Sequence, residues 1–190
     1  MSIPEPFRDS RAPSDVVIYT KVGAAQTQLE TAIWLWFHYK DPMSIHTLAV
    51  AANEVYEGIG RHHGLPIIYE AWVASFEKDD RNLMDKSQNF ERQAKRGDAD
   101  PLESGPLMVR AAEIMMVDCI NVHEKRFHQR TALMDCFLAR FGAENPRFPD
   151  TAFPPELREH FRNPSTVEKI RQGSRLEFLK QNLQVFAWPN

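Results

Sequence analysis

Apolar positions along this chain recur at helical intervals and almost never alternate. Leu29, Ile33, Trp36 and Phe37, with Ala25 and Ala32 on the same side, mark an amphipathic helix over about 20–39. Asp41-Pro42 interrupts and restarts the pattern. Asp is a preferred N-cap, and Pro is tolerated at the first helical position, where its missing N–H would be unpaired anyway. Ile45, Leu48, Ala49, Ala52, Val55, Tyr56 and Ile59 then form one stripe, and Gly58, Gly60 and Gly64 mark the exit ahead of Leu65-Pro66. These two elements predict an αα-hairpin with a very short loop.

Beyond the hairpin, Ile68, Trp72 and Phe76 are spaced by four and predict a helical segment from Ile67 to about Phe76. Residues 77–98 alternate six Lys/Arg with six Asp/Glu around a thin stripe of Leu83, Phe90 and Ala94, the pattern of a solvated helix face. Met108, Ala112, Met115, Cys119 and Val122 place a long helix over about 107–126. Leu133, Met134, Phe137, Leu138 and Phe141 place another over about 130–142, with Gly142 as its stop. Pro146, Pro149, Pro154 and Pro155 make the clearest boundary in the chain; a short helix near 155–162 and a final one over about 165–186 follow it. The only strand-like run, Val16 to Tyr19, stands alone and has no partner to pair with. The fold class is therefore all-α: an irregular lead-in over 1–19, a helical bundle over 20–145, and a Pro-rich linker with a C-terminal helical arm over 146–190.

Composition narrows the function classes. The 190 residues are 43% hydrophobic and 26% charged, which excludes collagen-like, disulfide-rich and disordered chains. A net charge of −3 argues against an electrostatic nucleic-acid or membrane-surface binder, so a nucleic-acid role has only local basic patches to rest on. Two cysteines, Cys119 and Cys136, sit among apolar residues and read as buried free thiols. The N-terminus has no apolar signal region, and the longest apolar run, Ala32 to Phe37, is far too short to span a membrane. The expected location is cytoplasmic, with no membrane contact.

Candidate chemistry is sparse. His123 and His128 are five residues apart, which turns one about 140° from the other on a helix, so they do not converge. His46, Asn53 and Glu57 share a line beside the apolar stripe of the second helix and are expected to face outward. No HExxH, paired ExxH, CxxC or GxSxG occurs, and Gly58-x-Gly60-x-x-x-Gly64 follows a helix rather than a strand. No metal and no cofactor is expected. Basic residues gather at the end of the long helix, where Lys125, Arg126 and Arg130 are the candidate anion contacts, although cations there also complement the helix dipole. In the first helix Trp34 and Leu35 point away from the Leu29/Ile33/Trp36 stripe. A helix apolar on nearly all sides is either central in its bundle or covered by another chain, so these two residues are the candidate interface.

The runs Gln28-Leu29-Glu30-Thr31-Ala32-Ile33 and Asp41-Pro42-x-Ser44-Ile45-His46-Thr47-Leu48-Ala49-x-Ala51-Ala52-x-Glu54 resemble a family of uncharacterised bacterial all-helical proteins. In that family the hairpin is followed by Asn-Phe-Phe-Lys-His-Ala and an Asp-rich turn; here the corresponding stretch is Asn89-Phe90-Glu91-Arg92-Gln93-Ala94, then Gly97-Asp98-Ala99-Asp100-Pro101. More distantly the arrangement is similar to HEPN domains, four-helix bundles that often dimerise and whose active members are metal-independent ribonucleases. Those enzymes use an Arg with a polar neighbour and, a few residues on, a His. That resemblance implies Arg81, Asn82 and Lys86, with Arg92, as the site, but Lys86 stands where the His belongs and Gln93 replaces the family's other His. Neither replacement serves readily as a base near neutral pH. The first functional expectation is therefore a non-catalytic helical interaction module that self-associates as a homodimer or binds a protein partner. The second is a HEPN-type ribonuclease with a degenerate motif.

Overall fold

The computed structural model describes residues 20–78, 81–82 and 106–183, with the side chains of residues 106, 107 and 150 excepted. The described residues form helices α1 (Lys21–Phe37), α2 (Pro42–His62), α3 (Ile68–Ala74), α4 (Pro106–Phe127), α5 (Ala132–Glu144), α6 (Pro155–Phe161), α7 (Pro164–Arg171) and α8 (Arg175–Asn182), with a 3-10 turn at Asp150–Ala152 and no strand. The architecture is an all-α bundle. The Val16–Tyr19 run and most of the charged 77–98 segment lie outside the described residues.

Local chemistry sets the helix starts. Thr20 caps α1 by accepting from Gly23 N, Asp41 caps α2 by accepting from Ser44 N at 2.8 Å, and Thr131 caps α5. Pro42 occupies the first turn of α2 as its position predicts. The α2 exit falls later than the glycines suggest. Gly58 and Gly60 stay helical, Gly60 lying where an added Cβ would come within 2.6 Å of Ile67 Cδ1, and Gly64 turns the chain at φ +64°. Gly142 is likewise no stop, since α5 runs on to Glu144. An added Cβ there would strike the Phe161 ring, so the glycine admits α6 rather than ending α5.

Helix α2 packs between α1 and α4, while α5 covers α1 and receives α6, α7 and α8. Burying α2 on two sides draws in His46 and Asn53, which are buried rather than outward-facing; Glu57 is half-buried. Helix α4 is buried without a break from Ala111 to His123, so it is the central helix. The largest fully buried side chains are Trp36, Tyr56, Phe37, Phe137 and Phe141, each contributing roughly 1.5–3 kcal/mol by leaving water. No helix among the described residues is long and apolar enough to cross a membrane.

The helices after the proline-rich stretch fold back onto the bundle of their own chain: Phe153, Leu157, Phe178 and Leu179 join the core. The predicted final helix is two. Gly173 adopts φ +70° after α7, and Ser174 opens α8 with a capping box, accepting from Glu177 N while Glu177 accepts from Ser174 N at 2.7 Å.

Both cysteines are buried free thiols. Burial pushes the Cys136 thiol up to about 12 and raises Cys119 as well. Neither thiol is expected to react with a disulfide reagent such as DTNB in the folded protein. Rapid native-state labelling of either would contradict this packing.

Candidate functional site

The polar residues of the central helix each fasten a different element. Glu113 Oε1 accepts from Trp36 Nε1 of α1 at 2.8 Å. Asp118 accepts from the backbone N–H groups of Ile68 and Tyr69, at 2.8 and 2.7 Å, and so caps α3 from outside. Asn121 Nδ2 donates to Ala152 O at 3.0 Å in the 3-10 turn. His123 Nδ1 and the Tyr56 hydroxyl of α2 share a 2.8 Å hydrogen bond. Burial lowers the His123 pKa and raises that of Tyr56, so both are neutral at pH 7.

Glu113 also opens a charge network that sequence reasoning missed. Arg175 reaches Glu113 Oε1 at 3.4 Å and Glu144 Oε2 at 2.7 Å, with its guanidinium 3.6 Å from the Trp36 ring centroid. Arg140 donates from Nε to Glu144 at 2.6 Å and from Nη1 to Ile170 O at 2.5 Å, while its Nη2 reaches Gly173 O at 3.1 Å. Arg110 Nη1 reaches Glu113 Oε2 at 3.3 Å and Asn145 Oδ1 at 2.6 Å. Burial works to raise the Glu144 carboxyl, but the Arg175 and Arg140 hydrogen bonds outweigh it and hold the group below the usual carboxylate range. The network ties α8 and the turn before it to α1, α4 and α5.

Two clefts flank this frame. The larger, about 820 Å³, lies between the end of α4, the start of α5 and the segment leading into α6. At its centre Arg130 donates to Asp135 and Glu156, each at 2.5 Å, and is paired with Glu124. Burial works against the Arg130 charge, yet its three carboxylates keep it protonated. Arg130 is thus no open anion contact: its nitrogens are spent on its own chain. Lys125 and Arg126 are exposed in the last turn of α4, and Lys125 lines the same cleft as Arg130. The second cleft, about 580 Å³, lies between α3, Arg110 of α4 and residues 144–149.

Trp34 is 46% exposed, whereas Leu35 is half-buried against the core. Arg81 and Asn82 are helical and exposed; Lys86 and Arg92 lie outside the described residues. Comparison of the chain with family models, curated proteins and solved structures finds no match. The functional reading rests on the chain's own geometry.

Proposed function

We propose that this chain is a non-catalytic helical interaction module that self-associates through the outer face of α1. The observation that carries the reading is a charge-free stripe on that face. Gly23, Thr27, Thr31, Trp34 and His38 follow one another at intervals of four, four, three and four, opposite the Leu29/Ile33/Trp36 side. The Thr27 hydroxyl donates to Gly23 O at 3.0 Å and that of Thr31 to Thr27 O at 2.7 Å. With both donors satisfied inside the helix, the face offers methyl groups rather than strong hydrogen-bonding groups. Trp34 stands above them, its ring stacked on His38 with centroids 3.8 Å apart.

One exposed aromatic needs no explanation by itself. A solvated helix face, however, ordinarily carries charge, and here the nearest charged group, Glu30, is half-buried at the edge of the stripe and accepts from Gln26 Nε2 at 3.1 Å. Small and β-branched residues admit a second helix closely, and a two-fold axis beside Thr31 would set Trp34 of each copy opposite Thr27 of the other. Such a contact is isologous and closes as a dimer.

Sedimentation equilibrium tests this. The expected result is a dimer for the unaltered chain and a monomer for Trp34→Glu, with dissociation eased by roughly 30-fold or more, equivalent to the ~2 kcal/mol of an interface anchor. Because Trp34 is half exposed, the substitution is expected to shift unfolding of the monomer by no more than about 0.5 kcal/mol. A strictly monomeric parent chain, or an unchanged dimer in Trp34→Glu, would overturn the proposal.

A further inference from the structure

We infer that the 580 Å³ cleft between α3, α4 and residues 144–149 is a binding site for a small aromatic carboxylate, with Arg110 as its anion contact. This is independent of the self-association surface, which lies on α1. The volume falls within the range of small-molecule sites, and the walls are largely apolar: Ile68, Ala71 and Trp72 on one side, Phe148 and Pro149 on the other. Trp72 and Phe148 are half-buried, each held edge-on by another ring, Phe76 for Trp72 at 4.8 Å and Phe141 for Phe148 at 5.1 Å. Braced aromatic walls favour a flat apolar body, since little side-chain freedom is lost on binding.

The charge of the site decides the ligand's polar end. Among the described residues the network contains three cations (Arg110, Arg140 and Arg175) against two carboxylates (Glu113 and Glu144), a surplus of one positive charge. Both carboxylates are engaged by more than one Arg, so neither has the capacity to absorb the surplus. Arg140 and Arg175 spend theirs inside the fold, with side chains 6% and 18% exposed. Arg110 is 32% exposed and lines the cleft, and its hydrogen bonds to described residues leave from Nη1 alone. Its Nε and Nη2 are the donors that would take a carboxylate. The guanidinium is already oriented, 5.2 Å from the Phe141 centroid and 5.9 Å from that of Phe148. Arg147, exposed at the mouth, adds to the positive field. The larger cleft lacks this surplus: Glu124, Asp135 and Glu156 there cancel Arg130, Lys125 and Arg158.

Calorimetric titration of the full chain with 2-naphthoate and with its neutral analogue 2-naphthamide, alongside amide NMR shifts, tests the assignment. The carboxylate is expected to bind at least about tenfold more tightly than the amide, the effect of a charge-assisted hydrogen bond, and to shift the amides of Ala71, Trp72 and Asn145. Arg110→Gln should erase the preference. Since that change also touches Glu113, a second variant is needed: Ala71→Phe, at an exposed helical position, should fill the cleft and abolish binding without moving the unfolding midpoint. Equal affinity for both compounds, undiminished binding by Ala71→Phe, or no binding by the parent chain would each overturn the inference.

Discussion

Glu113→Ala is expected to be among the most destabilising single substitutions in the chain, lowering the free energy of unfolding by about 3–5 kcal/mol. The carboxylate is 6% exposed and serves three partners at once. Without it the indole N–H of Trp36, a side chain only 1% exposed, loses its acceptor, Arg110 loses its carboxylate partner among the described residues, and Arg175 is left to share Glu144 with Arg140. A buried donor left unpaired costs about 1–3 kcal/mol, and an uncompensated partly buried cation adds to that. Glu113→Gln preserves an acceptor for Trp36 but not the charge, and is expected to cost about half as much. Urea denaturation measures both, and a double-mutant cycle with Arg175→Ala should show that the two losses are not additive. A loss below about 1 kcal/mol for Glu113→Ala would mean that the network is solvated and structurally idle. Acid should act on the same network through Glu144. Its pKa is depressed in the folded state, so the stabilisation it contributes is complete above the ordinary carboxylate range and is lost as pH falls through the lowered value.

What could be read from sequence was whatever depends on neighbours along the chain. Asp41-Pro42 opens α2 because both effects, the cap and the prearranged φ, act within one turn. The apolar periods located α1, α2, α4 and α5 because each presents a face to one core. Misreadings arose where a local signal had two meanings. Gly142 reads as a helix end, yet it is small because Phe161 packs against it; Gly173 falls inside the helix predicted over 165–186 because Leu176, Leu179 and Leu183 keep a helical spacing just beyond it. His46 and Asn53 lie off the centre of the α2 stripe, and only the second neighbour of α2 makes that side a buried one. The sites themselves were the least legible part. Glu113 meets Trp36 across 77 positions, His123 meets Tyr56 across 67, and Arg175 meets Glu113 across 62. No period or spacing signals such pairs. The one available hint was the presence of Glu113, Asp118, Asn121 and His123 in a helix that otherwise reads as apolar, since buried polar groups require partners.

Asp118→Ala is expected to release α3 from the bundle, and its cost should depend on pH in an unusual direction. Helix α3 is only seven residues long, and its own N-cap position, Ile67, supplies no side-chain acceptor. Asp118 provides that acceptor from α4, and its removal leaves two backbone N–H groups to find water or stay unpaired, a loss of about 2–5 kcal/mol. Hydrogen exchange at Ile68 and Tyr69 should accelerate well before the rest of the core opens. Burial pushes the Asp118 carboxyl up to about 6, against the pull of the two backbone N–H groups that favour its charged form. The ordinary value is 3.8, so the folded state binds the proton more tightly than the unfolded chain does. The stability this group confers is therefore complete below about 3.8 and declines as pH rises through about 6, by roughly 3 kcal/mol in all. It follows that the penalty of Asp118→Ala should be larger at pH 5 than at pH 7.5, the reverse of what removal of an ion-paired carboxylate produces. A penalty that grew with pH would show that the two N–H groups dominate over desolvation and that Asp118 is held as the anion. Because Ile68, Ala71 and Trp72 form one wall of the cleft beside Arg110, the same substitution should also weaken 2-naphthoate binding. This weakening should accompany the loss of α3 protection, whereas Arg110→Gln should act on binding with that protection intact.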